Sequence, residues 1–505
     1  MTVQKTDSPV ALAQPSGEHI PAEYRQDVLD MFSTWTSVRG RNRTLRDYYT
    51  GHVAVKNLGV AIPPSFEGIN VVSGWPAKAI HAHAMRSIFD GFVFAGEEDA
   101  GLKRLVERNR LRSLYQQAVA SSLVYGVSFL TVMAGTGSQP AAKVRLFDAN
   151  QACALWDSYN DRIKCGIVLA GQATDGTPTR YVAHFSDAVL TFDREGAEWS
   201  CHIEPNPMGR PMMEAIVNDP DPERPFGHSM LTPELLGIVD KAMRDVLRME
   251  VGAEFFTAPQ RYVLGASEDL FSAPADESDD VKYYDMDGNE VDRPAEPSSD
   301  MAKLKAYYGA MWAITRDENG DVPTVGEFSA PGASNFISVF ENDAQRFSGA
   351  TNVPLAQLGV LSNNYTSSDA LGAANDPLIL EVETMNRRNA ETMEDVARMM
   401  MCVADGIEPN KLGERGETVQ CYLKDPSKTT FSAMADGWTK VAAQDTGIIG
   451  TDVWYEGMGL TRAAIDRLKS EKGAMETTQT LNAIADAIIA KADVQPLDEH
   501  GEPVG

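Results

Sequence analysis

Few features of this sequence announce a chemistry. Its 505 residues hold five cysteines, Cys153, Cys165, Cys201, Cys402 and Cys421. The number is odd, the positions are scattered and no CxxC pair occurs. Neither a disulfide framework nor a zinc ribbon is indicated, and synthesis in a reducing compartment fits. No apolar run approaches the roughly 18 residues that a membrane-spanning helix needs. The opening stretch "MTVQKTDSPVALAQPSGEHI" lacks a basic start followed by an apolar core, so no secretory signal is expected. Positive charge is scarce as well. Lys and Arg total 45 against 72 Asp and Glu, a net charge of −27. A protein that grips nucleic acid by neutralising phosphates needs a basic surface, at least locally. The acidic balance reads first as solubility. It also suits a surface that stays near DNA without sticking to it, and charge alone does not choose.

The familiar catalytic signatures are missing too. There is no GxxxxGK[ST] phosphate cradle, no HExxH, no GxSxG and no GxGxxG. "GMGLTR" at 457–462 lacks the third glycine. His81 and His83 are two residues apart and so do not share a helix face as zinc ligands at i, i+4 would. Carboxylate pairs exist, but with 72 acids they arise by chance and carry no weight. What remains is an ordinary globular composition, 43% hydrophobic and 23% charged, in a chain long enough for two to four domains.

Periodicity organises that chain. Residues 1–21 are expected to be disordered. Helical patterns run from Ala22 to Tyr49, through "GINVVSGWPAKAIHAHAMRSIFDGF", and over about Arg110–Tyr125. Arg39, Arg41, Arg43 and Arg46 form a basic cluster on the first helix, better read as a solvated or subunit-bridging face than as phosphate contacts. From residue 127 to 205 the period falls to two, in runs such as "VSFLTVMA", "KVRLFD" and "RIKCGIVLA", which predicts an antiparallel β unit. Glu204–Ser229 holds six prolines and reads as a connector.

The clearest helix follows, over 233–257. Thr232 can cap it, Pro233 suits its first turn and Pro259 lies beyond its end. Leu235, Val239, Ala242, Val246, Met249, Ala253 and Phe256 alternate at spacings of four and three, an apolar seam over about three heptads. Lys241, Arg244 and Arg248 lie on another face, interleaved with Asp240 and Asp245 as i, i+4 pairs, and predict a solvated, salt-bridged surface. Residues 259–330 leave helix. Glu268 to Asp300 carries twelve acids, among them Asp276, Glu277, Asp279, Asp280, Asp285 and Asp287, against two bases. Aromatic runs "KYYDMDG" and "LKAYYGAMWAI" argue for a small folded unit there. Helix resumes at about Ser334–Gly349, then again from Asp369 to Ala404 with an expected interruption at Asp376–Pro377. The second of these carries Leu378, Val382, Met385, Thr392, Val396, Met399 and Val403 in a seam broken by polar Asn389. Between the two helices lies "TNVPLAQLGVLSNNYTSS", with an uncharged polar tip. Helical segments led by Thr430, Thr451 and Thr461 follow.

"INVVSGWPAKAIHAHAMRSIFDGF", "FGHSMLTPELLGIVDKAMRDVLRMEVGAEFFTAPQRYVLG", and "TNVPLAQLG" with "NNYTSSDAL", in that chain order, together resemble the portal proteins of tailed double-stranded DNA bacteriophages, of the type common in siphophages of actinobacteria. The resemblance covers about residues 22–404. It implies an α+β portal fold, mainly helical, with a wing, stem, clip and crown, an antiparallel β unit in the wing and a small α/β clip. Carried over segment by segment, 22–229 corresponds to the wing, 230–258 to the first stem helix, 259–330 to the clip and 331–350 to the second stem helix. Residues 351–368 correspond to the tunnel loop, 369–404 to the long wing helix and 405–492 to the crown, with a disordered tail at 493–505. The resemblance further implies a dodecameric ring at one capsid vertex of the virion, made in the host cytoplasm. Its expected partners are the terminase large subunit, a head–tail adaptor, the major capsid and scaffold proteins, and duplex DNA passing without sequence specificity. No cofactor, membrane or enzymatic activity is implied. The tunnel-loop candidates are Asn363, Asn364, Tyr365, Thr366, Ser367 and Ser368. Uncharged groups there would touch phosphates without the affinity that arginines bring. An ordinary helix–helix turn capped by Ser367 or Ser368 is the bland alternative, and a hydrolase with a scattered acidic site is the alternative function.

Overall fold

The computed structural model describes residues 13–53, 71–94, 99–257, 261–264, 283–284, 290–291, 324–327, 333–360, 372–427, 431–461, 464–473 and 475. Helix α1 (Arg25–Thr50) buries Val28, Met31, Phe32 and Trp35, positions three and four apart that fall on one face. It stops at Gly51, whose left-handed backbone lets its N–H reach the Asp47 carbonyl. Helix α2 (Trp75–Ala84) carries Pro76 in its first turn. Helix α3 (Ala100–Arg108) is capped by Asp99, which accepts from the N–H groups of Gly101 and Leu102. Helix α4 (Leu111–Tyr125) ends at Gly126, at φ 103°. A Cβ there would sit 3.2 Å from the Gly227 carbonyl oxygen, so only glycine lets the chain turn directly into sheet.

The residues before α1 are more ordered than composition suggests. Gly17–His19 form a 3₁₀ turn, Ile20 is fully buried, and the Tyr181 hydroxyl donates to the Ala13 carbonyl at 3.0 Å. The expectation of disorder through residue 21 is therefore corrected for residues 13–21. The polar composition gives no hint that one isoleucine has a hydrophobic socket on a distant sheet.

The β region forms two antiparallel sheets. Strands β2 (Val127–Ala134), β3 (Ala142–Asp148) and β9 (Met213–Val217) make a three-stranded sheet in the order β3-β2-β9. Strands β4 (Ala152–Asp157), β5 (Arg162–Gln172), β6 (Pro178–His184), β7 (Ala188–Glu195) and β8 (Glu198–Pro205) form a simple meander. Strands β4 and β9 escape a periodicity reading. "ACALWD" shows no alternation, and "MEAIV" lies inside the proline-rich stretch expected to be a connector. Pairing with β2 from Thr131↔Met213 to Val127↔Val217 decides the matter for β9. Strand β1 (Phe89–Val93) pairs with Gln420–Leu423 (β14). The boundary drawn after residue 404 thus does not coincide with a break, because the following segment returns to complete an early strand.

Helix α5 (Pro233–Thr257) has the predicted bounds. Strand β10 (Arg261–Leu264), just beyond it, pairs antiparallel with β13 (Thr324–Glu327), just before helix α6 (Ala333–Thr351). Between them, β11 (Tyr283–Tyr284) pairs with β12 (Glu290–Val291). A short helix α7 (Leu355–Leu358) precedes the long helix α8 (Asp376–Asp405). Residues 372–373 are helical and 374–375 form a turn, so the expected interruption falls just before Asp376, and Pro377 sits in the first turn of α8, where a proline loses no hydrogen bond. Helices Phe431–Gln444 and Asp452–Gly457 follow, the second capped by the Thr451 side chain.

Two hydrophobic clusters hold these parts. In one, Val28, Met31, Phe32 and Trp35 of α1 cover a face of the five-stranded sheet made by Ile167, Tyr181, Leu190 and Phe192. Phe32 and Trp35 meet the Tyr181 ring edge-on at 5.1 and 6.0 Å between centroids. The larger cluster joins α2, α4, α8, the three-stranded sheet and the adjoining parts of α5 and α6. Trp75 of α2 lies against Phe340 and Phe347 of α6, at 5.0 and 5.5 Å. Trp35→Ala should destabilise the protein by about 3–5 kcal/mol. Urea unfolding followed by circular dichroism measures this, and a loss below about 1 kcal/mol would contradict the packing described.

Candidate functional site

The pair α5–α6 is the most distinctive element. Its helices lie side by side and are joined at one end by the β10–β13 pair. Twenty-five residues make α5, roughly 37 Å at 1.5 Å per residue. Leu235, Val239 and Ala242, from the predicted seam, are buried. Beyond them the buried stripe continues through Met243, Leu247 and Val251. Val246 and Met249 are half-buried and Ala253 is exposed. The Phe256 side chain lies outside the described residues. The straight heptad seam is corrected accordingly. The buried residues Val239, Met243, Leu247 and Val251 succeed one another at i, i+4, so each step advances about 40° round a helix of 3.6 residues per turn, and the stripe winds away from the heptad seam along the contact with α6. Val246, Met249 and Ala253 are left on a separate, partly open apolar face.

The charged face is also corrected. It is not simply solvated, because α6 brings Asp343 against it. The Lys241 Nζ donates to both Asp343 carboxylate oxygens at 2.7 Å and to Asp245 Oδ2 at 3.1 Å. Arg248 Nη1 donates to Asp245 Oδ1 at 2.8 Å. Asp343 is fully buried and Asp245 nearly so. Burial works against the charge on Lys241, but its hydrogen bonds to Asp343 and Asp245 outweigh it and hold the ammonium above the ordinary lysine range. Arg244 is half-buried on the same helix. Asp240 accepts from the Tyr48 hydroxyl at 2.5 Å; burial first, and that bond second, push the Tyr48 phenol upward. Sequence spacing finds the Lys241–Asp245 pair. Asp343 is missed because no local signal ties residue 241 to residue 343.

The polar loop candidates Asn363, Asn364, Tyr365, Thr366, Ser367 and Ser368 lie outside the described residues, as do Asp276, Glu277, Asp279, Asp280, Asp285 and Asp287. The two ends of the loop are described. On the first, Asn352 Nδ2 donates to Glu381 Oε2 at 3.0 Å, and Gln357 Nε2 donates to Asn375 Oδ1 at 3.0 Å. Helix α2 and the turn just beyond it reach the chain after the loop. His83 Nε2 lies 3.2 Å from Glu381 Oε2, and Arg86 Nη2 donates to Asn375 Oδ1 at 3.2 Å. Burial would raise the Glu381 carboxyl, but the His83 and Asn352 contacts outweigh it and hold it below the usual glutamate range. The first two contacts bind the chain before residue 361 to the chain after residue 371, and the other two tie the latter to His83 and Arg86. His83 and Asn375 carry no motif that would have revealed this.

The chemistry open to these groups is recognition and support. Among the described residues no cluster of three or more His, Cys, Asp and Glu is placed to hold a metal. His81 faces the Tyr49 hydroxyl at 3.0 Å, whereas His83 faces the Ala79 carbonyl and Glu381, so the two do not converge. Burial pushes the Cys153 and Cys165 thiols up to about 12, which keeps them out of the reactive thiolate form. Among the described residues no helix is long and apolar enough to cross a membrane.

A family model described as phage portal protein, SPP1 Gp6-like, matches residues 32–474. The portal protein of Mycobacterium phage D29 is 24% identical over 482 residues, covering 91% of each chain. That of Mycobacterium phage L5 is 24% identical over 476 residues, covering 90% of each. Among solved structures, a chain from the virion of a native gene transfer agent particle aligns with a TM-score of 0.40 at 12% identity, over 76% of this chain and 89% of that one.

The two apolar faces of α5 make a testable contrast. Leu247→Asp places an unpaired charge in the α5–α6 contact and should cost about 3–5 kcal/mol. Val246→Asp, on the open face, should cost the isolated chain about 1 kcal/mol or less. Thermal unfolding of the two variants compares them directly, and equal losses would mean that both faces are internal to the subunit.

Proposed function

The chain belongs to the phage portal protein family, SPP1 Gp6-like, and from that premise we propose how its parts divide the work of a portal. Copies assemble as a dodecameric ring at one vertex of the capsid. The ring is the channel through which the terminase motor drives duplex DNA and through which DNA later leaves. Residues 22–229 and 369–404 form the wing, and 230–258 and 331–350 the paired stem helices. Residues 259–330 form the clip, 351–368 the tunnel loop and 405–492 the crown. The clip docks the motor and then the head–tail adaptor, and the outer parts of the ring meet capsid and scaffold proteins. The ring is a passive conduit without turnover of its own.

The observation that carries this reading is a family match that spans nearly the whole chain. The α5–α6 pair supports the stem assignment, because its two long helices frame the excursion at 259–330 and are clasped at its base by β10 and β13. Val246, Met249 and Ala253 offer an apolar strip outside the subunit's own core, as contact between neighbouring stems requires. Negative-stain electron microscopy of the purified protein tests the reading. Rings with an axial hole are expected, and discrete monomers at high concentration would overturn it.

The acidic residues Asp276, Glu277, Asp279, Asp280, Asp285 and Asp287 are assigned to the clip surface that meets basic partners. Complementary charge there raises association rate and weakens with salt. Shortening this segment should leave rings intact and slow adaptor or motor binding at low salt; unchanged binding across a salt series would remove the assignment. The loop Asn363–Ser368 is assigned to the channel wall. Replacing Asn363 and Asn364 with arginine should preserve rings and reduce the DNA packaged per particle. Each phosphate gripped steepens the salt dependence of binding by a slope of about 0.9. Replacement of both by serine should be tolerated. Normal packaging by the arginine variant at low salt would return this segment to the role of a helix–helix turn.

A further inference from the structure

Lys241 and Arg248 reach the surface of α5, with 39% and 40% of their side chains exposed, while the carboxylates that bind them do not. Asp343 has 0% and Asp245 7% side-chain exposure. The arrangement is layered: acids inside the helix pair, bases over them. Two cations and two carboxylates sum to zero. An ammonium has three donors, and those of Lys241 find three carboxylate oxygens, two on Asp343 and one on Asp245.

We propose that Asp343 and Asp245 are built-in counterions that keep Lys241 and Arg248 from gripping DNA phosphates as the duplex passes the stem. The inference rests on the reading of α5 and α6 as stem helices around a channel. Affinity for DNA comes largely from free cations that displace the counterions condensed on phosphate. Lys241 is not free in that sense. To grip a phosphate it would have to leave Asp343, and a buried carboxylate stripped of its partner is strongly unfavourable. The counterion belongs to the same chain and is rigidly held, so every subunit is neutralised at this level whatever the salt concentration. Exposed pairs are screened and exchange partners easily; this one is anchored by a carboxylate that water does not reach. The stem thus keeps Lys241 and Arg248 for packing α5 to α6, while the four-group cluster they form with Asp245 and Asp343 presents no net positive charge to a sliding polyanion.

The test separates this role from mere support of the helix pair. Asp343→Asn removes the buried carboxylate and leaves two cations, Lys241 and Arg248, sharing the single charge of Asp245. Asp343→Asn combined with Lys241→Met removes the same ion pair but leaves no spare charge. Assembled full-length protein of each kind is titrated with a short labelled DNA duplex across a salt series. With two or more Lys241 side chains on one duplex, the single variant should bind more than about tenfold tighter at ~50 mM than at ~200 mM salt. The double variant should follow the unmodified protein. If the single variant gains no salt-dependent binding, or the double variant gains as much, the counterion role is wrong. Should Asp343→Asn fail to assemble, Asp245→Asn against Asp245→Asn with Arg248→Met carries the same comparison. Unmodified particles without an axial hole would overturn the channel reading itself, and the charge comparison would still decide whether the acids mask these cations.

Discussion

A carboxylate with no exposed surface, Asp343, sits between the two long helices, and its charge is tolerable because Lys241 reaches it from α5. Most of what is particular to this molecule follows from that contact. It sets the rotation of α6 against α5, since a buried acid cannot be swung away from its partner without a cost of several kcal/mol. With that rotation set, Phe340 and Phe347 of α6 face Trp75 of α2, and the pair is seated on the main body. Burial of aromatic surface supplies the energy of this seating; the ion pair supplies its direction.

A second polar device sits one layer deeper. Asn389 donates to the Tyr115 hydroxyl at 3.2 Å, and Ser87 lies 2.7 Å from the same hydroxyl and donates to Asn386 Oδ1 at 2.6 Å. Each hydroxyl has one proton, so the chain has one consistent direction: Asn389 to Tyr115 to Ser87 to Asn386. Burial pushes the Tyr115 phenol to about 12, which keeps it a donor. A satisfied buried network of this kind ties α8 to α4 and to the turn before β1. The same helix carries Glu381, which holds one end of the polar loop. The placement of that loop's ends therefore descends from the core through α8 and α2 rather than from local turn chemistry.

How much of this was legible in the sequence depends on range. Helix α5 was readable to its end residues, because Thr232, Pro233 and Pro259 mark its limits and its apolar repeat is long. The antiparallel character of residues 127–205 was readable from a period of two. Strand β9 was not, because its partner β2 lies some eighty residues earlier and prolines surround it. Order at Ala13–Ile20 was not, because it depends on Tyr181 and a sheet face that local composition does not describe. The chemistry of the candidate site was legible in outline only. A neutral tip and an acidic excursion are visible as composition, but Asp343, His83, Arg86 and Asn375 have no spacing that singles them out.

Sequence alone determined the order of segments, and with it the family, since a resemblance spread over about residues 22–404 needs no contact to be seen. It also determined which stretches are amphipathic, because periodicity is a local property of the chain. Tertiary structure decided which side of each helix faces inward. The buried stripe of α5 passes through Leu247 and Val251 instead of Val246 and Ala253 because α6 packs along an i, i+4 row, which winds round the helix by about 40° per step. Tertiary structure also decided that Lys241 answers to a buried acid from another helix. The physical reason is the same in both cases. Burial and charge compensation are relations between residues far apart in the chain, and only the packed fold brings the two members of each relation together.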